Sequence, residues 1–344
     1  MSRAALPDIA PGRRRATSYD VARAAGVAQS TVSRCFKPGA AGISLAVRER
    51  VRAAAHRLGY TPNAVARSLI LRQSSTAGLI VTEFTLRTNP DLVYAVGSAL
   101  ETAGKRLLLM AVPNDERTAG AVASALEYPL DGLVSGALLE ATDTERLQAR
   151  GIPVLALNRL VPHARVDCVA TDVAAAAQEL AALLVAAGHR SFACYGSATP
   201  GSAGWERADA FAAALRDQGV EAPAPVRTGA TYADGRAAFL ASARRGGPWP
   251  DAVLCANDQL ALGVLDACRY DAGLRVPEDV SVVGFDDVAE AGRPAYALTT
   301  VRQRFTEMAE AAVTLMAARL ANPDAPARRV LVPGDLVRRG SARF

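Results

Sequence analysis

Short apolar runs alternate with longer amphipathic segments along the chain from Thr76 onward. Each run has the length and composition of a buried strand, and helical spacing of apolar residues follows at 173–187, 207–218 and 259–270. Because alternating strands and helices are typical of parallel sheets covered on both faces, we predict an α/β body. The number of strands suggests two sheets, with a ligand bound between them at the carboxyl ends of the strands. The clearest predicted strands are 77–82, 106–112, 131–136, 152–158, 191–196, 251–257 and 280–287.

The segment before this body shows helical spacing only. In "SYDVARAAGVAQSTVSRCF", residues 18–36, apolar and small residues recur at the spacing of a helix-turn-helix, and Gly26 falls where the tight turn needs a positive φ angle. Thr17 or Ser18 can cap the first helix, and the second helix should begin near Gln29. An Ala-rich helical hairpin with no DNA-binding role would show the same apolar pattern. The predicted inner face consists of Val21, Ala22, Ala25, Val27, Val32 and Cys35.

A third helix is predicted after Ser44, which can act as its N-cap, and Gly59 should end it. Its apolar face consists of Val47, Val51, Ala54 and Leu58. In a three-helix unit of this kind the second helix enters the major groove of DNA with its N-terminal residues at the base edges. Arg34 can then bind guanine or phosphate, and Gln29 can present its amide to adenine. The predicted outward-facing residues of the second helix are Gln29, Ser30, Ser33 and Arg34.

Charge is distributed unevenly along the chain, whose formal net charge is +5. Residues 1–72 carry 13 Lys and Arg against three acidic residues, a net of +10, whereas the remaining 272 residues carry 26 against 31, a net of −5. A basic excess confined to one end is the electrostatic footprint of a polyanion-binding module attached to a different domain. Together with the turn glycine and the polar outer face, it favours the DNA-binding interpretation over the plain hairpin.

Three segments carry a resemblance to a known family. "DVARAAGVAQSTVSR", "RERVRAAAHRLGYTPNAVARSL" and "STAGLIV" resemble the LacI/GalR family of bacterial transcription regulators, from about Thr17 to the C-terminus. The resemblance implies an all-α helix-turn-helix head with a hinge helix, then a two-lobed, periplasmic-binding-protein-like α/β body that forms the dimer. Gln29 and Ser30 then occupy the variable positions that choose the operator sequence. The chain departs from the family at Ala28, where a serine cap is usual, and in "KPGAAGIS", where Lys37 replaces an asparagine and the loop is about one residue longer.

The resulting domain prediction has four parts. Residues 1–16 form a disordered basic tail, 17–61 the helix-turn-helix DNA-binding domain, 62–73 the hinge helix and linker, and 74–344 the effector-binding and dimerisation domain. Within the last part, the N-terminal lobe is predicted to contain 76–172 plus 304–322, and the C-terminal lobe 173–303 plus 323–339.

The stretch "PNAVARSLI", residues 62–70, joins the basic head to the body. Pro62 ends the third helix and suits a new helix start. A helix over 63–69 is too short to persist alone, so we expect it to fold when two copies pack on DNA. The resemblance identifies it as the hinge helix in the minor groove, with Leu69 as an apolar wedge that bends the site. Alternatively, Leu69 and Ile70 pack on the body. The complete predicted DNA-binding set is Thr17, Tyr19, Gln29, Ser30, Thr31, Ser33, Arg34, Asn63, Ala64, Arg67 and Leu69.

Polar residues follow several of the predicted strands. Asn158, Asn257 and Asp286 each come directly after a buried run, and Arg207 opens a helix after another strand. Asn, Asp and Arg side chains can form paired hydrogen bonds, so they suit the hydroxyls of a sugar or of another small polar molecule.

Structural roles are the alternative for this set. An Asn at a strand end is as often a turn residue, Asp258 can be the N-cap of the next helix, and Asp287 can be a loop residue. The resemblance raises Asn158, Arg207, Asn257 and Asp286 to effector contacts. It also makes Phe84 and the loop 87–92 the other wall of the pocket.

Three classes of function are compatible with such a body: a ligand-controlled repressor, an exported solute-binding protein of a transporter, and a sugar-modifying enzyme. At the N-terminus the arginines follow a short, Pro-broken apolar patch, the reverse of a secretory signal, so export is not expected. The carboxylates of "GFDD" lack an acid/base partner and no nucleotide-binding glycine motif is present, which argues against an enzyme. The five cysteines lack metal-ligand spacing, so we expect reduced cytosolic thiols, no metal and no cofactor.

We therefore expect a cytoplasmic, homodimeric repressor without a membrane segment. It should bind a palindromic operator as a dimer, because one head contacts too little DNA for high specificity. The C-terminus has no leucine heptads, so a tetramerising coil is not expected. The effector can be a sugar, a sugar acid or a nucleobase at this point, and the direction of its effect on DNA binding stays open.

Overall fold

The computed structural model describes residues 16–36, 42–61, 74–159, 161, 166–221, 224–243 and 248–344. The chain divides into two compact units, with the boundary between Ser74 and Ser75. The described helices of the first unit are α1 (Ser18–Ala25), α2 (Gln29–Cys35) and α3 (Leu45–Leu58). Those of the second unit are α4 (Glu83–Thr88), α5 (Pro90–Thr102), α6 (Ala119–Glu127), α7 (Ala141–Ala149), α8 (Val173–Ala186), α9 (Ala203–Asp217), α10 (Tyr232–Ala243), α11 (Asp258–Asp266) and α12 (Phe305–Ala321). Its strands are β1 (Thr76–Thr82), β2 (Arg106–Val112), β3 (Gly132–Ser135), β4 (Val154–Leu157), β5 (Asp167–Thr171), β6 (Phe192–Ser197), β7 (Val226–Thr228), β8 (Ala252–Cys255), β9 (Ser281–Val283), β10 (Thr300–Arg302), β11 (Arg329–Val332) and β12 (Asp335–Val337).

The caps and the turn predicted for the head are present. Thr17 and Asp20 form a capping box, in which Thr17 Oγ1 accepts from the Asp20 N–H at 3.3 Å and the Asp20 carboxylate accepts from the Thr17 N–H at 2.9 Å. Gly26 has a φ of 63°, a left-handed conformation that glycine adopts without strain. α2 begins after Ala28 without a side-chain cap. The buried core of the three helices is Val21, Ala22, Ala25, Val32, Cys35, Val51, Ala54 and Ala55.

The apolar face predicted for α3 is wrong at one position. Leu58 is 39% exposed, whereas Ala55 is buried. α3 has 14 residues against eight in α1 and seven in α2, so it is about 9 Å longer than α1 and about 10 Å longer than α2. Leu58 lies in its last turn, where the shorter helices offer too little surface to cover it.

The body has two parallel sheets, which confirms the α/β prediction. The six-stranded sheet has the order β2-β1-β3-β4-β5-β11, and we call this sheet and its helices the first lobe. The four-stranded sheet has the order β7-β6-β8-β9 and belongs to the second lobe. Every residue of β3, β4 and β8 is buried, as expected of strands with helices on both faces. β10 and β12 form a separate antiparallel pair.

All seven predicted strands form, and the structure adds β5, β7, β10, β11 and β12. β11 corrects the predicted lobe boundary, which assigned residues 323–339 to the C-terminal lobe. β11 pairs in parallel with β5, with Arg329 beside Cys168, so residues 329–332 belong to the first lobe. The chain therefore crosses between the lobes three times: after β5, between β10 and α12, and between β11 and β12.

One predicted helix start and one predicted loop are also wrong. α9 begins at Ala203 with Ser202 as its N-cap, so Arg207 lies in the second turn and does not open the helix. The segment 87–92 is not a loop, because Arg87 and Thr88 end α4 and α5 begins at Pro90. A proline at the first position of a helix is favourable, since its missing N–H would have no partner there.

Candidate functional site

A cavity of about 240 Å³ lies between the two lobes of the body. Its first-lobe wall includes Thr82 at the end of β1 and Asn114 shortly after β2, and its second-lobe wall includes Ser197 at the end of β6. Ligands of α/β sheets usually bind at this edge, where the carboxyl ends of the strands meet. All five predicted effector contacts line the cavity: Phe84, Asn158, Arg207, Asn257 and Asp286.

Two of these residues have left-handed backbone. Asn158 has a φ of 60° directly after β4, and Asp286 has a φ of 122° after β9. Backbone hydrogen bonds hold both, because the Asn158 N–H donates to the Val169 carbonyl at 2.7 Å and the Asp286 N–H donates to the Val301 carbonyl at 2.9 Å. Residues other than glycine seldom adopt positive φ, and such strain is concentrated at functional sites.

Arg207 and Asp286 form a buried ion pair in the cavity wall, with Arg207 Nη1 2.9 Å from Asp286 Oδ1. Arg207 Nη1 also donates to the Ala256 carbonyl at 2.9 Å, and the guanidinium carbon lies 4.0 Å from the centroid of the Phe285 ring. Burial raises the pKa of Asp286, and the positive charge of Arg207 acts against that rise. The two charges offset each other, so this wall offers polar groups with little net charge.

Asp286 is also connected to the first lobe. Its Oδ1 accepts from Gln303 Nε2 at 2.6 Å, and its Oδ2 accepts from Asn89 Nδ2 at 3.3 Å. Gln303 in turn accepts at Oε1 from Thr171 Oγ1 at 2.7 Å. Asn89 lies between α4 and α5 and Thr171 ends β5, so two side-chain routes join this second-lobe carboxylate to the first lobe.

A second ion pair lies on the first-lobe side of the cavity. Arg159 Nη2 is 3.4 Å from Asp115 Oδ1 and donates to the Gly136 carbonyl at 2.6 Å. Asp115 also accepts from the Leu138 N–H at 2.6 Å. Burial lowers the pKa of Arg159, and the charge of Asp115 acts against that fall. Counting Glu116, the lining has three carboxylates and two guanidinium groups, so it does not form a positively charged site.

Asn257 combines a place in the cavity wall with a structural role. It is the N-cap of α11: its Oδ1 accepts from the Leu260 N–H at 2.8 Å, and its Nδ2 donates to the Ala230 carbonyl at 3.2 Å. The prediction that Asp258 caps this helix is therefore wrong. Asp258 is the first residue of α11 and is completely buried.

The strand pattern does not predict several residues of the lining. Arg159 directly follows Asn158, and Asn114 stands two residues past β2, so both carry the same signal as the predicted set, a polar residue at a strand end. Asn89 carries no such signal, because it precedes the proline that starts α5. Further polar residues of the lining are Thr82, Thr85, Asp115, Glu116, Ser197, Thr199 and Ser202.

The described residues suggest neither a metal centre nor a membrane segment. Among them, no group of three or more His, Cys, Asp and Glu side chains is arranged to hold a metal ion. All five cysteines are buried, free thiols. None of the described helices is both long enough and apolar enough to cross a bilayer.

Five of the eleven residues predicted to contact DNA lie in α2. Ser30, Ser33 and Arg34 are exposed, and Tyr19 on α1 is 68% exposed. Gln29 is half-buried and its Nε2 donates to the Ser18 hydroxyl at 3.1 Å, which fixes its position at the start of α2. The half-buried residues of the predicted set are Thr17, Gln29 and Thr31. The predicted hinge contacts Asn63, Ala64, Arg67 and Leu69, like Lys37, lie outside the described residues.

Known proteins resemble this chain in both units. Residues 17–63 match the family described as bacterial regulatory proteins, lacI family, and residues 181–342 match a periplasmic binding protein-like domain. The HTH-type transcriptional regulator CelR of Thermobifida fusca is 33% identical over 342 residues, which cover 95% of this chain and 98% of that protein. The ribose operon repressor of Escherichia coli (strain K12) is 29% identical over 338 residues, with 95% and 100% covered.

A solved structure gives a similar result for the whole fold. The lac repressor dimer bound to operator and the anti-inducer ONPF matches with a TM-score of 0.85 and 27% identity. The match covers 96% of this chain and 100% of that one, so it spans the head and both lobes.

Proposed function

The chain belongs to the lacI family of bacterial regulatory proteins and is a DNA-binding transcriptional regulator, and we propose that a small, uncharged sugar in the cavity between its lobes controls its operator affinity. One observation carries the proposal: the polar residues at the strand ends converge on one cavity in which both arginines are already paired with carboxylates. The two relatives named above are a repressor and a transcriptional regulator, in agreement with the expectation from the sequence that the protein is not an enzyme.

On the DNA side, two heads bind the two halves of a palindromic operator in the cytoplasm. The exposed residues of α2 read base edges in the major groove, with Ser30, Ser33 and Arg34 nearest to them. The hinge residues 62–73 enter the minor groove, where Leu69 acts as the wedge. The structure of the lac repressor dimer bound to operator supports the binding of one operator by two copies of the chain.

The charge balance of the cavity favours a neutral sugar over a sugar acid. An anionic ligand would meet one carboxylate more than the guanidinium groups can offset. Hydroxyl groups suit the site better, because each can donate to a carboxylate such as Asp286 and accept from an amide such as that of Asn158. A volume of about 240 Å³ lies just below the usual range of ligand pockets, about 300–1,000 Å³, and so favours a monosaccharide.

A thermal-unfolding screen of the full chain tests this proposal. D-ribose, D-galactose and D-glucose should be compared with D-glucuronate, D-galacturonate and adenosine, each at millimolar concentration. We expect at least one neutral sugar to raise Tm, since a ligand that binds only the folded state stabilises it. The Asp286→Asn variant tests whether the sugar binds in this cavity. It should abolish the rise in Tm, because the ion pair between Asp286 and Arg207 is lost. A response to the acids or to adenosine alone would contradict the proposed class.

A further inference from the structure

The two oxygens of the Asp286 carboxylate are engaged very differently. Oδ1 accepts from Arg207 Nη1 at 2.9 Å and from Gln303 Nε2 at 2.6 Å. Oδ2 accepts from Asn89 Nδ2 at 3.3 Å, which is beyond the usual 2.7–3.2 Å range for an N–H···O bond. A hydroxyl that took the place of this amide would form a shorter bond to Oδ2.

Asn89 reaches this oxygen at the expense of its local role. It stands at the N-cap position of α5, where an asparagine normally accepts from the backbone of the first turn, but its side chain makes no cap hydrogen bond. The amide instead points to Asp286, 197 residues away in the sequence and in the other lobe, and it lies 3.4 Å from the Thr88 hydroxyl. Asn89 is 9% exposed and lines the cavity, so a ligand there would meet this bond.

We propose that Asn89 occupies the position on Asp286 that a hydroxyl of the effector takes, so that the Asn89–Asp286 bond and effector binding exclude each other. An O–H···O⁻ bond is about 2.5–2.7 Å long and stronger than a long amide bond, so the exchange favours the ligand. This inference rests on the proposed function, because it assigns a regulatory role within the same cavity.

The exchange gives effector binding a direct consequence for the lobes. Gln303 keeps its hydrogen bonds to Asp286 and Thr171, so one side-chain connection between the lobes remains. The other connection, the hydrogen bond from Asn89 to Asp286, is broken. The first lobe then gains freedom at the junction of α4 and α5. Asn89 therefore acts as a lock between the lobes that the effector releases.

Titration of the full-length Asn89→Ala protein with D-ribose, D-galactose and D-glucose tests the lock. In wild type the Asn89–Asp286 bond must break before the sugar binds. The apparent affinity is therefore the intrinsic affinity multiplied by the fraction of molecules in which this bond is already broken. We expect Asn89→Ala to bind the responding sugar about two- to tenfold more tightly, the range set by one intramolecular hydrogen bond. If Asn89 is an ordinary ligand contact, the variant will bind the sugar more weakly than wild type. Weaker or unchanged binding would show that the Asn89–Asp286 bond does not compete with the effector.

Asn114→Ala is the matched control, because Asn114 lines the same cavity but its Oδ1 accepts from the nearby Glu116 N–H. It should not bind the sugar more tightly than wild type. Amide hydrogen exchange without ligand provides an independent measurement. Residues 83–92 should exchange faster in Asn89→Ala than in either wild type or Asn114→Ala, and equal exchange overturns the lock. If no sugar binds wild type, the proposed effector class fails, whereas the exchange comparison still decides on the lock.

Discussion

Asp258 is a buried carboxyl group whose surroundings raise its pKa strongly. Its Oδ2 accepts from the Val288 N–H at 2.8 Å and its Oδ1 accepts from the Thr300 hydroxyl at 2.6 Å. A Cβ on Gly284 would lie 2.1 Å from Oδ1, so only glycine fits beside the carboxylate. Burial, reinforced by the negative charge of Asp286, raises the pKa of Asp258 to about 7. Asp258 holds the turn that carries Asp286, at a cost in stability when it is ionised.

Asp258→Asn should therefore change how stability depends on pH. The folded protein binds this proton more tightly than the unfolded chain, whose aspartate titrates near 4, so the Asp258 contribution to the free energy of unfolding falls as pH rises from about 4 to about 7 and is constant above. Asparagine can accept from Val288 and donate to Thr300 without ionising. We expect the variant to gain stability relative to wild type as pH rises through this window, by up to about 1.4 kcal/mol per pH unit.

Chemical denaturation of both proteins at pH 5 and pH 8 measures this difference. His189 is a second source of pH dependence, because burial lowers its pKa and wild type loses stability below about pH 6.5 for that reason. Both proteins retain His189, so its effect cancels in the comparison. If the free energy of unfolding changes equally with pH in wild type and Asp258→Asn, Asp258 does not have a raised pKa in the folded protein.

The site residues show what a sequence pattern can reveal about a cavity. Asn158, Asn257 and Asp286 are predictable because parallel strands bring their carboxyl ends to one edge, whatever the details of packing. The partners Asn89 and Gln303 are not predictable in this way. Asn89 is placed by the start of a helix and Gln303 by a crossing between lobes, so their proximity to Asp286 depends on how the lobes pack.

The first two helices of the head differ in how their N-termini are capped. α1 has a complete capping box at Thr17 and Asp20, whereas α2 starts after Ala28, which has no side-chain acceptor. Ala28 has φ −68° and ψ 150°, the extended conformation that a capping serine also adopts, and it is exposed. The first turn of α2 therefore lacks one acceptor for its free N–H groups, at the end of the helix that reads DNA.

Ala28→Ser should supply the missing acceptor. Its hydroxyl can accept from the Ser30 N–H, or share the Thr31 N–H with the Ala28 carbonyl, to which Thr31 donates at 2.9 Å. A cap of this kind stabilises a helix by about 0.5–2 kcal/mol. We expect slower amide exchange in Gln29–Thr31 relative to wild type and no change in the body. Thr17→Ala is the control in the opposite direction and should speed exchange in α1. Unchanged exchange at α2 in Ala28→Ser would mean that its first turn is already stabilised by other contacts.

The predicted elements succeed or fail according to their length and burial. The seven runs that were predicted as strands are rich in apolar residues, and β3, β4 and β8 are buried along their whole length. β7, β10 and β12 have three residues each, too few for a period of two to be recognised. β11, with the exposure pattern of an edge strand, forms only because the chain returns from α12 to pair with β5. Such a long-range pairing has no local signal.

In the whole chain, the excess of positive charge and the hydrogen bonds around the cavity belong to different units. The segment up to residue 72 has a net charge of +10 and the remainder −5. Attraction to phosphate is therefore confined to the head and the segment that follows it. The side-chain routes that reach Asp286 from the first lobe lie wholly within the body, so ligand binding there needs no residue of the head.

This division predicts how DNA binding depends on salt. A head that neutralises several phosphates loses affinity steeply as salt rises, with a slope of about −0.9 per phosphate contact in a plot of log K against log salt concentration. The full chain should follow this dependence on duplex DNA, as measured by fluorescence anisotropy from 50 to 200 mM salt. A variant that starts at Ser75 should show no measurable binding, because its net charge is negative, yet it should keep the Tm response to the sugar.

Two single substitutions make the same comparison within the intact chain. Arg34 on α2 and Arg216 on α9 are both exposed, but only Arg34 lies in the predicted DNA-binding face. Arg34→Gln should weaken binding and reduce the salt slope by about one unit if Arg34 contacts phosphate, or weaken binding at an unchanged slope if it contacts a base. Arg216→Gln removes the same charge from the body and should change neither quantity. Equal losses in the two variants would show that DNA responds to the overall charge of the protein and not to a localised head.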